Sequence, residues 1–100
     1  MIRHIVMWKL KENAVGASRS ENVQKLKERL DECRDIVPGM LKLEVGVAAT
    51  DLESTYDLVL VCDFVDRAAM SAYLSHPAHE ALKSFTAPLR ESRQCVDYEF

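Results

Sequence analysis

The sequence predicts an α+β fold, with one four-stranded antiparallel sheet and helices on one face. Three observations carry this. Segments that alternate every second residue and segments with helical spacing follow one another in the order β-α-β-β-α-β. The chain has 100 residues, enough for one core and short of two, so a single domain over residues 1–100 is expected. Two strands are apolar on both faces at their centres, more than helices on one side can cover.

Residues 2–10, IRHIVMWKL, are the first strand. Ile2, His4, Val6, Trp8 and Leu10 share one face, and Arg3, Ile5, Met7 and Lys9 the other. Residues 11–17 read as a loop containing Asn13 and Gly16. Ser18-Arg-Ser-Glu21 is a capping box, in which the serine oxygen accepts from the N3 amide and Glu21 reaches back. Val23, Leu26, Leu30, Cys33 and Val37 follow at steps of 3, 4, 3 and 4. They form an apolar stripe on a helix that is charged elsewhere. Two heptads are too few for a coiled coil, so the stripe is expected to pack on the sheet, and Pro38-Gly39 to end the helix.

Residues 41–49, LKLEVGVAA, place Leu41, Leu43, Val45, Val47 and Ala49 on one face of the second strand. Residues 50–55, TDLEST, are a polar connection. Residues 56–64, YDLVLVCDF, are a strand with Leu58, Leu60 and Cys62 on one face and Val59 and Val61 on the other. Asp66 caps a short helix carrying Met70, Tyr73 and Leu74. A further helical piece runs from Pro77 to about Ala87, and residues 91–100 are the last strand, with Val96, Tyr98 and Phe100 on one face.

This order is the ferredoxin-like arrangement. Ile5, Met7 and one set from the third strand must point away from the helices. Left wet, they would expose an apolar patch that monomers seldom tolerate. The expected solution is a two-fold homodimer packed sheet to sheet, a dimeric α/β barrel.

Composition excludes several classes. An apolar share of 48% with 29% charged residues fits a globular chain and not a disordered one. Net charge is −3 and no run of five like charges occurs, so no nucleic-acid partner is expected. No stretch approaches the roughly 18 apolar residues of a membrane span, and no membrane partner is expected. The N-terminus enters the first strand without a cationic leader, so a cytoplasmic protein is expected. Cys33, Cys62 and Cys95 are odd in number, widely spaced and without a CxxC pair, which suits reduced thiols. No cofactor is expected.

The stretch AYLSHPAHEALK, residues 72–83, holds two of the three histidines. Proline disfavours the α region for the residue before it, so His76 is expected to leave the first helix extended, with Pro77 in the first turn of the next. A helix–kink–helix joint explains these residues structurally. The same kink would let Tyr73, His76 and His79 converge. His79 lies in the first turn of the second helix, where the positive end disfavours imidazolium, so a neutral general base is one use. A nearby phenol could hold a carbonyl or enol oxygen. His4, between apolar residues on its strand face, is either a satisfied partner of a backbone group or part of a pocket. Trp8 suits the core. Asp57 could pair with a histidine or end its strand in solvent. His76-Pro-Ala-His79 across a kink is a weak metal signal, and no metal site is expected.

Arg3-His4-Ile5-Val6, Ile36-Val37-Pro38-Gly39-Met40 and Tyr73-Leu-Ser-His76-Pro77-Ala-His79 together resemble the stress-response A/B barrel (Dabb) family, dimeric α+β barrel proteins. The resemblance covers essentially the whole chain. It implies ferredoxin-like subunits whose sheets meet in a barrel. Most members have no assigned activity, while a plant polyketide cyclase of the family closes its substrate by an aldol step. By resemblance, its catalytic tyrosine and histidine fall on Tyr73 and His79, and its first-strand pocket histidine on His4. A second pocket histidine of that enzyme is Asp57 here, which puts the same substrate in doubt. His4, His76, Trp8 and Asp57 are the candidate substrate contacts. Some plant members hold a cation on backbone carbonyls after the first helix, here near Arg34, Val37 and Met40.

Three functions stay open at this point. One is a small dimeric protein with a pocket for a carbonyl or phenolic ligand. Another is a cyclase or isomerase using His79 as base and Tyr73 as donor. The third is an interaction module.

Overall fold

The structure, a computed structural model, describes residues 1–100. Its elements are β1 (Ile2–Leu10), β2 (Asn13–Ala14), β3 (Ala17–Ser18), α1 (Arg19–Asp31), β4 (Met40–Val47), β5 (Leu58–Phe64), α2 (Arg67–Leu74), α3 (Pro77–Thr86) and β6 (Arg90–Glu99). The four long strands form one antiparallel sheet in the order β4-β5-β1-β6. With three helices on one side, this is the ferredoxin-like α+β arrangement.

The register of β1 assigns both faces. Ile2, Val6 and Trp8 stand opposite Phe64, Leu60 and Leu58 of β5 and point to the helices with His4, which stands opposite Cys62. Leu26 and Leu30 of α1, Tyr73 of α2 and Leu82 of α3 close this core from above. Ile5 pairs with Val61 and Val96, and Met7 with Val59, on the opposite face. That face has no helix over it. Val96, Tyr98 and Phe100 are 52%, 40% and 49% exposed. At one end of it Arg3 grips Asp63 with two hydrogen bonds, 2.7 and 2.9 Å, which holds the Asp63 carboxyl below its ordinary range. The Arg3 guanidinium also lies 4.4 Å above the Phe100 ring.

Three local features differ from the pattern in the sequence. The expected loop at 11–17 contains a hairpin, β2–β3, turned by Val15 and Gly16 at φ 52° and 73°. Positive φ at both central residues matches the right-handed strand twist. The capping box at Ser18 forms as read, but α1 ends at Asp31, well before Pro38-Gly39. The Cys33 N–H donates to the Leu30 carbonyl three residues back, and Asp35 turns to φ 60°. This tighter path still keeps Cys33 and Val37 buried. In β4, a bulge between Met40 and Lys42 turns Leu41 out to 55% exposure, and Met40 takes the inward position opposite Phe64.

Gly39 makes the return from α1 to β4 possible. Its φ is 89°, and a Cβ there would sit 2.8 Å from the Ala69 Cβ and 2.9 Å from the Val65 Cγ2. Its carbonyl accepts from the Val65 N–H at 2.9 Å, so the turn cannot simply swing away from α2. Gly39→Ala is expected to lower stability by about 2 kcal/mol or more in urea denaturation, from left-handed strain and overpacking together. An unchanged midpoint would mean that the close approach to α2 is not maintained.

Candidate functional site

The joint between α2 and α3 positions the site. His76 is extended (φ −65°, ψ 140°), and its Nδ1 accepts from the Ala78 N–H at 3.0 Å. Pro77 occupies the first turn of α3. His76 is thus the N-cap of α3 and is not among the residues lining the cavity described below. The extended backbone that frees it from α2 also folds its ring back over its own helix end.

Tyr73 and His79, from the two sides of the joint, do meet. Their ring centroids lie 4.9 Å apart, and Phe64 packs on the other side of Tyr73 at 5.4 Å. Tyr73 is fully buried and its hydroxyl has no hydrogen-bond partner. The polar groups near that hydroxyl are the thiols of Cys62 and Cys33. Burial, then these two neighbours, push the Tyr73 phenol well above its ordinary range. Burial likewise pushes the Cys62 thiol up to about 12.

A cavity of about 590 Å³ opens between α3 and the helix-facing side of β1, β5 and β6. Its inner wall is His4, Val6, Trp8, Leu60, Leu82 and His79. Its rim carries Glu80, Lys83, Arg90 and Arg93, all exposed. The cavity exists because the three helices cover β4, β5 and β1 but leave edge strand β6 open along almost its whole length. Tyr73 supports His79 from behind and is not part of the lining. Asp57 stands elsewhere. Its Oδ2 accepts from the Leu10 N–H at 2.7 Å and its N–H donates to the Trp8 carbonyl at 2.9 Å, so it fastens the end of β1 to the entry of β5. Near the turn after α1, the Arg34 guanidinium bonds the Leu43 carbonyl and pairs with Asp31.

Two imidazoles face the cavity in different states. His79 Nδ1 is buried without a hydrogen bond, near the Leu74 carbonyl. Burial is the largest influence on this ring and lowers its pKa; the Leu74 carbonyl and Glu80 oppose the shift. His4 is 2% exposed, and its Nδ1 lies 2.5 Å from Asp97 Oδ1 on β6. An ionised carboxylate only accepts, so Nδ1 carries the proton in this contact. In a neutral ring, Nε2 then presents its lone pair toward the cavity. Asp97 is therefore a positioning residue for His4. Sequence reading missed it, along with the basic rim. The only signal was that Cys95 and Asp97 alternate with Val96 and Tyr98, which gives their face but not their partner.

The sheet topology, the face left open and the cavity under α3 define a class: ferredoxin-like proteins with a ligand-sized cavity between helices and sheet. Residues 2–100 match the Stress responsive A/B Barrel Domain (Dabb) family, and the chain belongs to it. Among solved structures, a dimeric protein of unknown function with a ferredoxin-like fold from Bacteroides fragilis is 29% identical, with a TM-score of 0.83 over 99% of this chain and 95% of that one. A dimeric ferredoxin-like protein of unknown function from Thermobifida fusca is 22% identical, with a TM-score of 0.85 over 99% and 90%. A Dabb family protein with a ferredoxin-like fold from Mesorhizobium loti is 23% identical, with a TM-score of 0.76 over 99% and 95%. No curated protein sequence matches the chain.

The lowered pKa of His79 has a consequence for stability. The folded protein resists protonating this ring, while the unfolded chain binds a proton near the ordinary histidine value of about 6.5. The contribution is present above that pH and is lost as pH falls toward the depressed folded value. Melting curves between about pH 7.5 and pH 5 are expected to fall more steeply for wild type than for His79→Gln. Parallel curves would show that His79 does not titrate differently on folding.

Proposed function

We propose that this chain is a homodimeric binding protein whose cavity takes a small organic anion bearing a carbonyl or phenol. The composition of the cavity carries this reading. His4, His79 and Trp8 line it together with apolar Val6, Leu60, Leu74 and Leu82 and the hydroxyls of Ser84 and Thr86, and three cations face one carboxylate at the rim. Its volume, about 590 Å³, suits a small molecule. An acidic group would sit at Lys83, Arg90 and Arg93, with its ring or carbonyl inward against the imidazoles.

Support for the dimer comes from the open sheet face. Ile5, Met7, Val59, Val61 and Val96 form a continuous apolar patch there, with the Arg3–Asp63 pair at its edge. Such a patch is what a subunit interface needs. The Bacteroides fragilis protein, 29% identical, is described as dimeric. No helix is long and apolar enough to cross a membrane. All three cysteines are free thiols, and we place the protein in the cytoplasm, where thiols stay reduced.

A second reading, proton transfer next to a carbonyl as in a cyclase or isomerase, draws support from His79. Burial favours its neutral form, which can accept a proton near neutral pH. Tyr73 would act in this arrangement by holding the His79 ring, since its hydroxyl points among core thiols.

A thermal-shift screen with small β-keto and phenolic acids, set against their methyl esters, tests the pocket. The acids are expected to stabilise by about 2.7 kcal/mol at a hundredfold excess over Kd. The esters should do less, and His79→Ala should lose the effect. Equal shifts from acids and esters would argue against the anionic ligand. The same compounds in deuterated water, followed by NMR, separate binding from turnover: α-proton exchange that wild type accelerates and His79→Ala does not would favour the second reading.

The dimer is tested at its centre. Ile5→Glu would bury an unpaired charge in each subunit, at about 3 kcal/mol or more apiece, so light scattering should report a monomer. A dimer that survives this change, with circular dichroism intact, would place the interface elsewhere.

A further inference from the structure

One cluster of metal-ligating side chains lies outside the cavity lining, apart from the single residue they share. β6 runs beside β1 with Asp97 directly opposite His4 and Cys95 opposite Val6. Residues two apart on a strand point the same way, so Cys95, Asp97 and His4 share the helix-facing side of the sheet. Their donor atoms converge. His4 Nδ1 is 2.5 Å from Asp97 Oδ1, and Cys95 Sγ is 3.9 Å from each of them. All three atoms fall within 4.8 Å of one another.

We propose that His4 Nδ1, Cys95 Sγ and Asp97 Oδ1 form a binding site for a zinc-class divalent cation, with water as fourth ligand. Zinc bonds of about 2.0 Å to nitrogen and oxygen and about 2.3 Å to sulfur place tetrahedral donors roughly 3.3–3.6 Å apart. The observed separations straddle that range. Drawing the thiol in and letting the carboxylate step back, each by less than about 1 Å, satisfies the geometry. The required freedom is on the correct side of the cluster. Cys95 and Asp97 are exposed on the edge strand, while His4 is held in the core and fixes the site.

The donor set selects the ion. A thiolate and an imidazole discriminate against magnesium and calcium and favour zinc, cobalt or nickel. Binding replaces the S–H bond of Cys95 with an S–metal bond and releases that proton to solvent. It also takes the Nδ1 lone pair of His4, so the ring's remaining proton moves to Nε2. The other two cysteines cannot substitute. Cys33 and Cys62 are buried in the core beneath α1 and α2, away from His4 Nδ1 and Asp97.

The test uses the reduced full chain and Co²⁺ as a spectroscopic probe. Wild type is expected to bind one Co²⁺ per chain, with the strong visible bands of a four-coordinate site and a near-ultraviolet thiolate-to-cobalt band, both displaced by Zn²⁺. Cys95→Ser should lose the thiolate band. Asp97→Asn should keep it but bind more weakly, by more than the roughly hundredfold at most that loss of an outer-shell partner produces. In unaltered protein, Zn²⁺ should also slow alkylation of Cys95 by iodoacetamide, a readout that needs no variant. A thiolate band that persists in Cys95→Ser, weak six-coordinate spectra indifferent to both substitutions, or Cys95 alkylation that ignores Zn²⁺ would each overturn the proposal. Ligand binding in the cavity is read with Cys95 intact, so either idea can fail without the other.

Discussion

The hydrogen-bonded ladders on either side of β1 set the sheet face on which His4, Trp8 and Asp97 stand and on which the helices pack. On one side β1 pairs with β5, and on the other with β6. Because side chains alternate, a slip of one residue would move every side chain of the strand to the opposite face. His4 would leave the core and Ile5 would enter it. The bidentate Arg3–Asp63 pair on one face, and the packing of Val6, Trp8 and Leu10 on the other, both penalise that slip. Asp57 pins the far end of β1 by accepting from the Leu10 N–H.

The helices follow from this sheet. α1 lays its apolar stripe on β4 and β5, while α2 and α3, short and kinked apart, cover β1 and stop. The uncovered strip along β6 becomes the cavity. Its inner strand residues are apolar or aromatic because they belong to the core face. Its rim is basic because Lys83 of α3 and Arg90 and Arg93 of β6 are the first residues beyond that core. Apolar depth and charged mouth are thus two ends of one alternation pattern. The buried Tyr73 hydroxyl, with only thiols nearby, is a polar group held at a disadvantage. Its ring, pressed between Phe64 and His79, is what keeps it there.

Much of this was legible in the residues. The alternation of IRHIVMWKL, the Ser18–Glu21 box, the Asp66 cap and the SHP joint each encode a local preference strong enough to survive tertiary packing. The family resemblance named the same fold and brought Tyr73 and His79 forward together. The unread features are those in which distant segments decide. LKLEVGV alternates cleanly from Leu41, so nothing local announces that pairing with β5 extrudes Leu41 and turns Met40 inward. The pairing of His4 with Asp97 is a register across more than ninety residues, and no single-strand pattern contains it. Asp57 looks like a free carboxylate until the Leu10 N–H arrives beside it. His76 looked like a substrate contact for the same reason that it is a cap: its backbone leaves the helix there.

His4 touches two compartments with one ring. Nδ1 meets Asp97 at the solvent-exposed edge, and the other nitrogen belongs to the cavity. In a neutral imidazole the nitrogen that donates leaves the other to accept, so the partner of one fixes the role of the other. A change of partner at the Asp97 side of the ring is therefore met at the cavity side across the width of a five-membered ring, without any backbone motion.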